Sequence, residues 1–251
     1  MSTPATTRLY LLDDHCFENG ATVIAIEAND IALDQTCFYP GGGGQPPDQG
    51  EIQLQNGLVL EVSSAHMDAG GVIWHEISSP LPPAVLGQSV RLVLDQVRRL
   101  ALMRYHTVLH VLNTIALRDY NAWITGVQIS VDYSRIDFKL ETFSPGLTAE
   151  LESKVNAVLQ EAHPLKSYTL TEEEFRTRPD LLRTLQVKPP ISNGLVRVVE
   201  IEGFEAQACG GTHVRTTSEV GRFSIFRTEN KGRLNKRLYV RLAQSGRVPQ
   251  E

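Results

Sequence analysis

Two short stretches carry side chains that could do chemistry, and both use the same interval. In "HTVLH" the residues His106 and His110 stand four apart; in "ACGGTHV" Cys209 and His213 do the same. On a helix, positions i and i+4 project from one face about one turn apart, which suits two ligands of one metal ion. Zinc proteases use this spacing in H-E-x-x-H, where the glutamate is the general base. Thr107 stands at that glutamate's place, so the protease reading lacks its base. One packed and one exposed histidine is the plainer alternative. In the second pair, Gly210 and Gly211 are poor helix formers, so Cys209 and His213 are expected on a turn. Cys209 is then a small buried thiol in a tight turn, half of a disulfide, a nucleophile with His213 as its base, or a metal ligand. Taken together, His106, His110, Cys209 and His213 form a borderline-soft donor set of the kind zinc takes. Four protein ligands describe a closed site, whereas catalysis needs an open position.

A third stretch, "FYPGGGGQPPDQG" at 38–50, has four consecutive glycines. They permit positive φ or close approach to a ligand. It is neither a phosphate loop, which needs G-K-[ST], nor a dinucleotide fingerprint leading into a helix. A connecting loop and a ligand contact both remain open for it.

The elements that must position these residues follow from patterning. LYLLDDH, ATVIAIEAND, DIALDQTCFYP, GEIQLQNGLVLEVSSAH and GVIWHEISS read as short strands, with an Asn56-Gly57 hairpin, and suggest a small barrel or sandwich. The proline-rich SSPLPPAVLGQ, 78–88, reads as a connection. From Asp95, a candidate N-cap, DQVRRLALMRYHTVLHVLNTIALRDY has no Pro or Gly, and Val97, Leu100, Val108, Leu112 and Ile115 fall near a helical period. GVQISVDYSRIDFKLE predicts two strands turning near Tyr133-Ser134, and SPGLTAELESKVNAVLQEAH a helix. TEEEFRTRPDLLRTL opens on a capping box, Thr171 with Glu174. LVRVVEIEG, GRFSIFRTE and KRLYVRLAQ predict strands. The whole reads as α+β: an all-β domain over 1–92, then an α+β domain with antiparallel sheet over 93–251.

Composition narrows the function classes. The N-terminus lacks a signal-peptide pattern, and no apolar run approaches the roughly 18 residues of a membrane span. Three cysteines are too few and scattered for a disulfide framework, so a reducing, cytoplasmic setting is expected. A net charge of -5 argues against a generic nucleic-acid binder. The charge is uneven: residues 1–100 hold four Lys/Arg against twelve Asp/Glu, and residues 215–251 hold nine against three Glu. Such a basic end is either a solvated sheet face or a phosphate-meeting surface.

The three stretches, in this order, resemble the alanyl-tRNA trans-editing proteins (AlaX type), free-standing relatives of the editing domain of alanyl-tRNA synthetase. The flanks agree: LDQVRRLALMRYH before the first pair, TTSEVGRFSIF after the second, and ENKGRLNKRLYVRLA near the end. One departure is visible, since Gly41 and Gly42 replace the acidic-small pair usual before Gly43-Gly44-Gln45. The resemblance implies a glycine-rich β-barrel followed by an editing domain, of the medium-length class. It implies hydrolysis of tRNA(Ala) mischarged with serine, and also glycine. With no room for an aminoacylation module, this editing would act in trans. It implies one zinc ion on His106, His110, Cys209 and His213; zinc lowers the pKa of water to about 7, which would supply a nucleophile for the ester.

Thr107 and Gln45 are the candidate catalytic residues. The Thr107 hydroxyl is placed to read the amino acid, since a site that hydrogen-bonds a substrate hydroxyl rejects the analogue lacking it by about 10⁴. Its alternative is a bond to the carbonyl one turn back. Gly43, Gly44, Gln45 and Asp48 are expected to shape the site for the tRNA end. Arg98, Arg99 and Arg104 near the histidine helix, and Lys231, Arg233, Lys236 and Arg237 in the basic segment, are candidate phosphate contacts. The rival readings are editing of another aminoacyl ester, such as Thr-tRNA, and a catalytically inactive zinc-stabilised RNA-binding module.

Overall fold

The computed structural model describes residues 3–82, 84–141, 144–183, 191–192 and 194–243. Thr184-Leu185 at the end of TEEEFRTRPDLLRTL, and Gln244 at the end of KRLYVRLAQ, lie outside them. The chain forms two compact units, 1–100 and 101–251.

The first unit is a closed antiparallel barrel. Its strands are β1 (Glu18–Glu27), β2 (Asp30–Leu33), β3 (Gly50–Leu54), β4 (Val59–Met67), β5 (Ile73–Ile77) and β6 (Ser89–Leu94), joined in the order β1-β2-β5-β4-β3-β6. Closure comes where β6 pairs back onto β1, Glu18 opposite Val93. A closed sheet has no free edge, which removes the aggregation hazard of an open one. Alternate residues point inward, and Val23, Leu33, Ile52, Leu60, Val62 and Leu92 fill the interior. Register shifts at Val23/Ala25 and Val62/Ser64 supply the extra curvature. The Asn-Gly hairpin forms as expected: Gly57 takes φ 85° and the Asn56 side chain accepts from Leu58 N–H. LYLL, expected as strand, is instead a 3₁₀ turn over Leu9–Leu11 that buries Tyr10.

The second unit carries α1 (Gln96–Tyr120), which begins in the last residues of the first, then β7 (Trp123–Ile129), β8 (Ser134–Lys139), α2 (Pro145–Gln160), β9 (Leu165–Thr171), α3 (Glu172–Arg176), β10 (Leu195–Ile201), β11 (Glu205–Ala208), β12 (Phe223–Asn230) and β13 (Asn235–Leu242). One sheet runs β12-β13-β8-β7; in the other, β10 pairs β9 and β11. Each of these pairings is antiparallel. Asp95 caps α1 by accepting from Arg98 N–H at 3.0 Å, and the Thr171–Glu174 capping box forms at α3. Val97 breaks the expected apolar face of α1: it is 82% exposed, before the helix becomes buried. From Leu102 to Ala116 most of α1 is buried, and the buried residues include the polar His106, Thr107, His110, Asn113 and Thr114 as well as its apolar ones. Among the described residues no helix is long and apolar enough to cross a membrane.

Candidate metal centre

Histidines in the buried part of α1 must find partners or carry function, because an unpaired polar group out of water is costly. His106 and His110 find the turn that follows β11. The ligand atoms of His106, His110, Cys209 and His213 all lie within 4.8 Å of one another, and all four residues are buried. The Cys209 Sγ is 3.4 Å from Nε2 of both His106 and His213. The His213 ring centroid sits 4.3 Å from that of His106 and 4.4 Å from that of His110. This donor group can hold one metal ion.

Positive-φ glycines do not make the turn: left-handed backbone occurs at flanking Gly203 and Gly221, not at Gly210 or Gly211. A buried arginine gathers it instead. Arg197, on β10, donates from Nη1 to the carbonyls of Cys209 at 3.2 Å and Gly211 at 2.7 Å. Gly211 N–H points at the Cys209 sulfur, 3.4 Å away. The sequence signal for Arg197 was a cation inside the apolar run LVRVVEI, where a half-buried strand rarely places one without a partner.

Burial alone would raise the Cys209 thiol, but His106 and His110 beside it hold it well below the usual thiol value, so the thiolate is favoured. Burial, then the same two histidines, pushes His213 well below the ordinary histidine value and keeps it neutral. At His110 burial opposes the charge, yet Cys209 and Glu205 lift its value to about 9. A thiolate and neutral imidazoles are the forms that ligate, so metal uptake must release the His110 proton.

Outer groups fix two of the rings. His213 Nδ1 is 3.1 Å from the Thr107 hydroxyl, which also accepts from Val214 N–H at 3.4 Å. Nδ1 thus faces Thr107 while Nε2 faces Cys209. His110 Nδ1 lies 3.4 Å from the Glu205 carboxylate, whose side chain is 1% exposed. Glu205 in turn pairs with Arg183 at 3.3 Å and accepts from Gln207, which accepts from Asn113 of α1. Glu205 carries no motif; nothing in the sequence separates it from the neighbouring Glu200 and Glu202.

The other residues singled out from the sequence are placed as follows. Gly41, Gly42, Gly43 and Gly44 all take positive φ, from 58° to 131°, and the chain closes through paired bonds between Gly42 and Gln45. A Cβ at Gly42 would stand 3.3 Å from the Tyr39 hydroxyl, which itself donates to Gly42 O. The stretch is a defined turn, and the Gly41-Gly42 departure suits its left-handed backbone. Gly43 and Gly44 are exposed; Gln45 and Asp48 are buried. The Asp48 carboxylate accepts from Tyr39 N–H and forms an ion pair with Arg99, which also donates to the carbonyls of Asp14 and Cys37. Arg99, at 0% exposure, is unavailable to phosphate. Arg98 donates to Pro47 O, and Arg104 is half-buried.

In the basic segment, buried Lys236 clamps the β12–β13 hairpin by donating to Asn230, Gly232 O and Arg233 O. Arg237 makes a bidentate pair with Asp137, and Lys231 pairs with Glu229. Arg233 stays exposed.

Both units match families of the tRNA synthetases. Residues 5–98 match the family "tRNA synthetases class II (A)", and residues 196–239 match the "Threonyl and Alanyl tRNA synthetase second additional domain". The chain is 37% identical over 243 residues to an alanyl-tRNA editing protein AlaX-M of Methanosarcina acetivorans, covering 94% of this chain and 99% of that protein. It is 35% identical to that of Saccharolobus solfataricus, over 93% of this chain and 98% of the relative. Against the alanine–tRNA ligase of Korarchaeum cryptofilum it is 37% identical, over 89% of this chain and 25% of that longer protein. The chain belongs to the alanyl-tRNA editing protein AlaX-M family.

Proposed function

We propose that this chain is a trans-acting deacylase of mischarged tRNA(Ala), acting chiefly on Ser-tRNA(Ala) and also on Gly-tRNA(Ala), with one zinc ion held by His106, His110, Cys209 and His213. In this reading residues 1–92 form the glycine-rich barrel domain and residues 93–251 the editing domain. The observation that carries it is the convergence of those four buried ligands from two separate elements. Zinc–nitrogen bonds of about 2.0 Å and a zinc–sulfur bond of about 2.3 Å at tetrahedral angles need N···S separations of about 3.5 Å, close to the 3.4 Å found.

When bound, zinc supplies Lewis acidity that polarises an ester carbonyl and lowers the pKa of water. The chain's own residues do the rest. Cys209 brings a thiolate to neutralise part of the ion's charge. Glu205 and Thr107 aim the rings of His110 and His213. In this reading Thr107, whose hydroxyl lies against His213 Nδ1, is also the residue that reads the serine hydroxyl. The exposed Gly43 and Gly44 backbone meets the tRNA end, while buried Gln45 and Asp48 act by holding that turn's shape.

The test is a deacylation panel over Ser-, Gly- and Ala-tRNA(Ala) and Thr-tRNA, run with intact protein, chelator-stripped protein, and His106→Ala, His110→Ala, Cys209→Ala and His213→Ala variants. Zinc content and melting are measured separately. Hydrolysis of Ser-tRNA(Ala) that disappears with the metal while the fold persists is expected. Full activity after metal removal refutes the zinc role, and a preference for Thr-tRNA refutes the substrate.

A further inference from the structure

Lys231, Lys236 and Arg237 of the basic segment are spent on internal bonds, yet the same sheet carries a different surface. On β13 the side chains of Lys236, Leu238 and Val240 are buried, so Arg237, Tyr239 and Arg241 point outward. Tyr239 stands opposite Arg227 of β12 and Arg135 of β8, which makes an Arg–Tyr–Arg row across three strands. A register shift between Ile225 and Arg227 inserts Phe226 as an extra residue, and such a bulge re-aims a side chain. Phe226 is 44% exposed and Tyr133, in the β7–β8 turn, 41%. The rings of Tyr133, Phe226 and Tyr239 form a triangle with centroids 6.2–6.3 Å apart. Arg227 lies over Tyr239 at 4.9 Å and Arg241 over Phe226 at 4.5 Å.

The charge on this face is unbalanced. Its carboxylates Asp137 and Glu229 are each paired, with Arg237 and with Arg227 and Lys231. Among the described residues neither Arg135 nor Arg241 has a carboxylate partner. In a chain of net charge -5 this is a local cationic face with solvent-facing rings. Aromatic and arginine side chains also serve protein interfaces; here two arginines without carboxylate partners, beside the exposed Phe226 and Tyr133 rings and the half-buried Tyr239, favour a polyanion. Unpaired RNA wants both: bases stack on aromatic faces and arginine planes, and phosphates take guanidinium groups.

We propose that this face of the β12-β13-β8-β7 sheet is an RNA-docking platform, on which Tyr133, Phe226 and Tyr239 stack unpaired bases while Arg135 and Arg241 take phosphates. The identity of its RNA as tRNA rests on the proposed deacylase reading; the platform itself rests on the ring triangle and the unpaired arginines.

The experiment measures binding of fluorescently labelled, uncharged tRNA(Ala) and of a short single-stranded RNA by anisotropy across a salt series, using the full chain. Phe226→Ala and Tyr133→Ala should each weaken binding about tenfold or more. Arg135→Gln and Arg241→Gln should each weaken it and lower the slope of log K against log salt by about one. Leu12→Ala, exposed and far along the chain, should bind like the unsubstituted protein. Melting and zinc content establish that each variant is folded. Unchanged RNA affinity and salt slope in the four platform variants overturn the proposal; so does unchanged affinity accompanied by conversion of an oligomer to a monomer, which makes the face a contact between copies. Deacylation by the unsubstituted protein is scored apart. Its absence, with platform-dependent RNA binding intact, refutes the deacylase and leaves the platform. Its presence, with unaltered binding in the variants, does the reverse.

Discussion

Replacing Glu205 with glutamine tests whether the groups behind the ligands hold the metal centre. The substitution keeps the size of the side chain and removes its charge. Glu205 is 1% exposed at the side chain, and its Oε1 lies 3.4 Å from His110 Nδ1, so solvent cannot substitute for it. The two atoms stand at ion-pair separation without hydrogen-bond geometry, so the contact contributes less than a hydrogen bond to a charged group does, about 1.5–3 kcal/mol. The change should therefore cost roughly 1–2 kcal/mol at this ring. Converted at 1.4 kcal/mol per decade, that is about a five- to thirtyfold weaker hold on zinc, consistent with the 10–100-fold cost of losing such outer groups in general. Competition against a chromophoric chelator at fixed pH measures it directly, and the ligand-field spectrum of the cobalt-substituted protein reports whether the ring has turned. Glu205→Asp, which keeps the charge on a shorter arm, should recover part of the loss. Zinc affinity and cobalt spectrum both equal to those of the unsubstituted protein would show that Glu205 is only a packing residue and does not hold the His110 ring.

Other outcomes follow from the same geometry. Thr107→Val should retain zinc, with somewhat weaker affinity because His213 Nδ1 loses its partner, and should narrow the preference for Ser-tRNA(Ala) over Ala-tRNA(Ala) by about tenfold or more; unchanged discrimination in a deacylation assay sinks the selectivity role. Asp48→Ala leaves the Arg99 guanidinium buried without its carboxylate, and loss of one partner of such a pair costs about 3–5 kcal/mol; urea unfolding should show it, and a loss below about 1 kcal/mol contradicts the pairing. His75, inside the barrel, donates from Nδ1 to Ile31 O and accepts at Nε2 from Thr36, and burial drives its value from 6.5 down to about 4. The unfolded chain takes up this proton below pH 6.5 and the folded one only near 4. Its contribution is therefore complete above pH 6.5 and is lost as pH falls toward 4, by roughly 3 kcal/mol in all. His75→Gln should flatten that part of a stability–pH profile, and an unaltered profile would refute it.

The residues of the metal centre were legible in the sequence because their spacing is local. Four-residue intervals are set by the helix for His106 and His110 and by a short turn for Cys209 and His213, and neither depends on the rest of the fold. Strand patterning, the Asn-Gly turn and the Asp95 and Thr171 caps were legible for the same reason. The 3₁₀ turn at Leu9–Leu11 was not: the burial of Tyr10 against Tyr39, nearly thirty positions on, decides it.

What the sequence determined by itself was the donor set, the class of chemistry those donors serve, and the order of elements that carry them. Tertiary structure alone decided that the two pairs converge within 4.8 Å, that Arg197 gathers the second pair, and that Glu205 and Thr107 stand behind the rings. It also decided which basic residues are free to act. Lys236, Arg237 and Arg99 are committed to partners 3 to 100 positions away in sequence, while Phe226, at a bulge, and Arg241, on the outward side of β13, are left facing solvent. Local spacing fixes which side chains share a face; whether a charge is buried, paired or open depends on what distant chain folds against it.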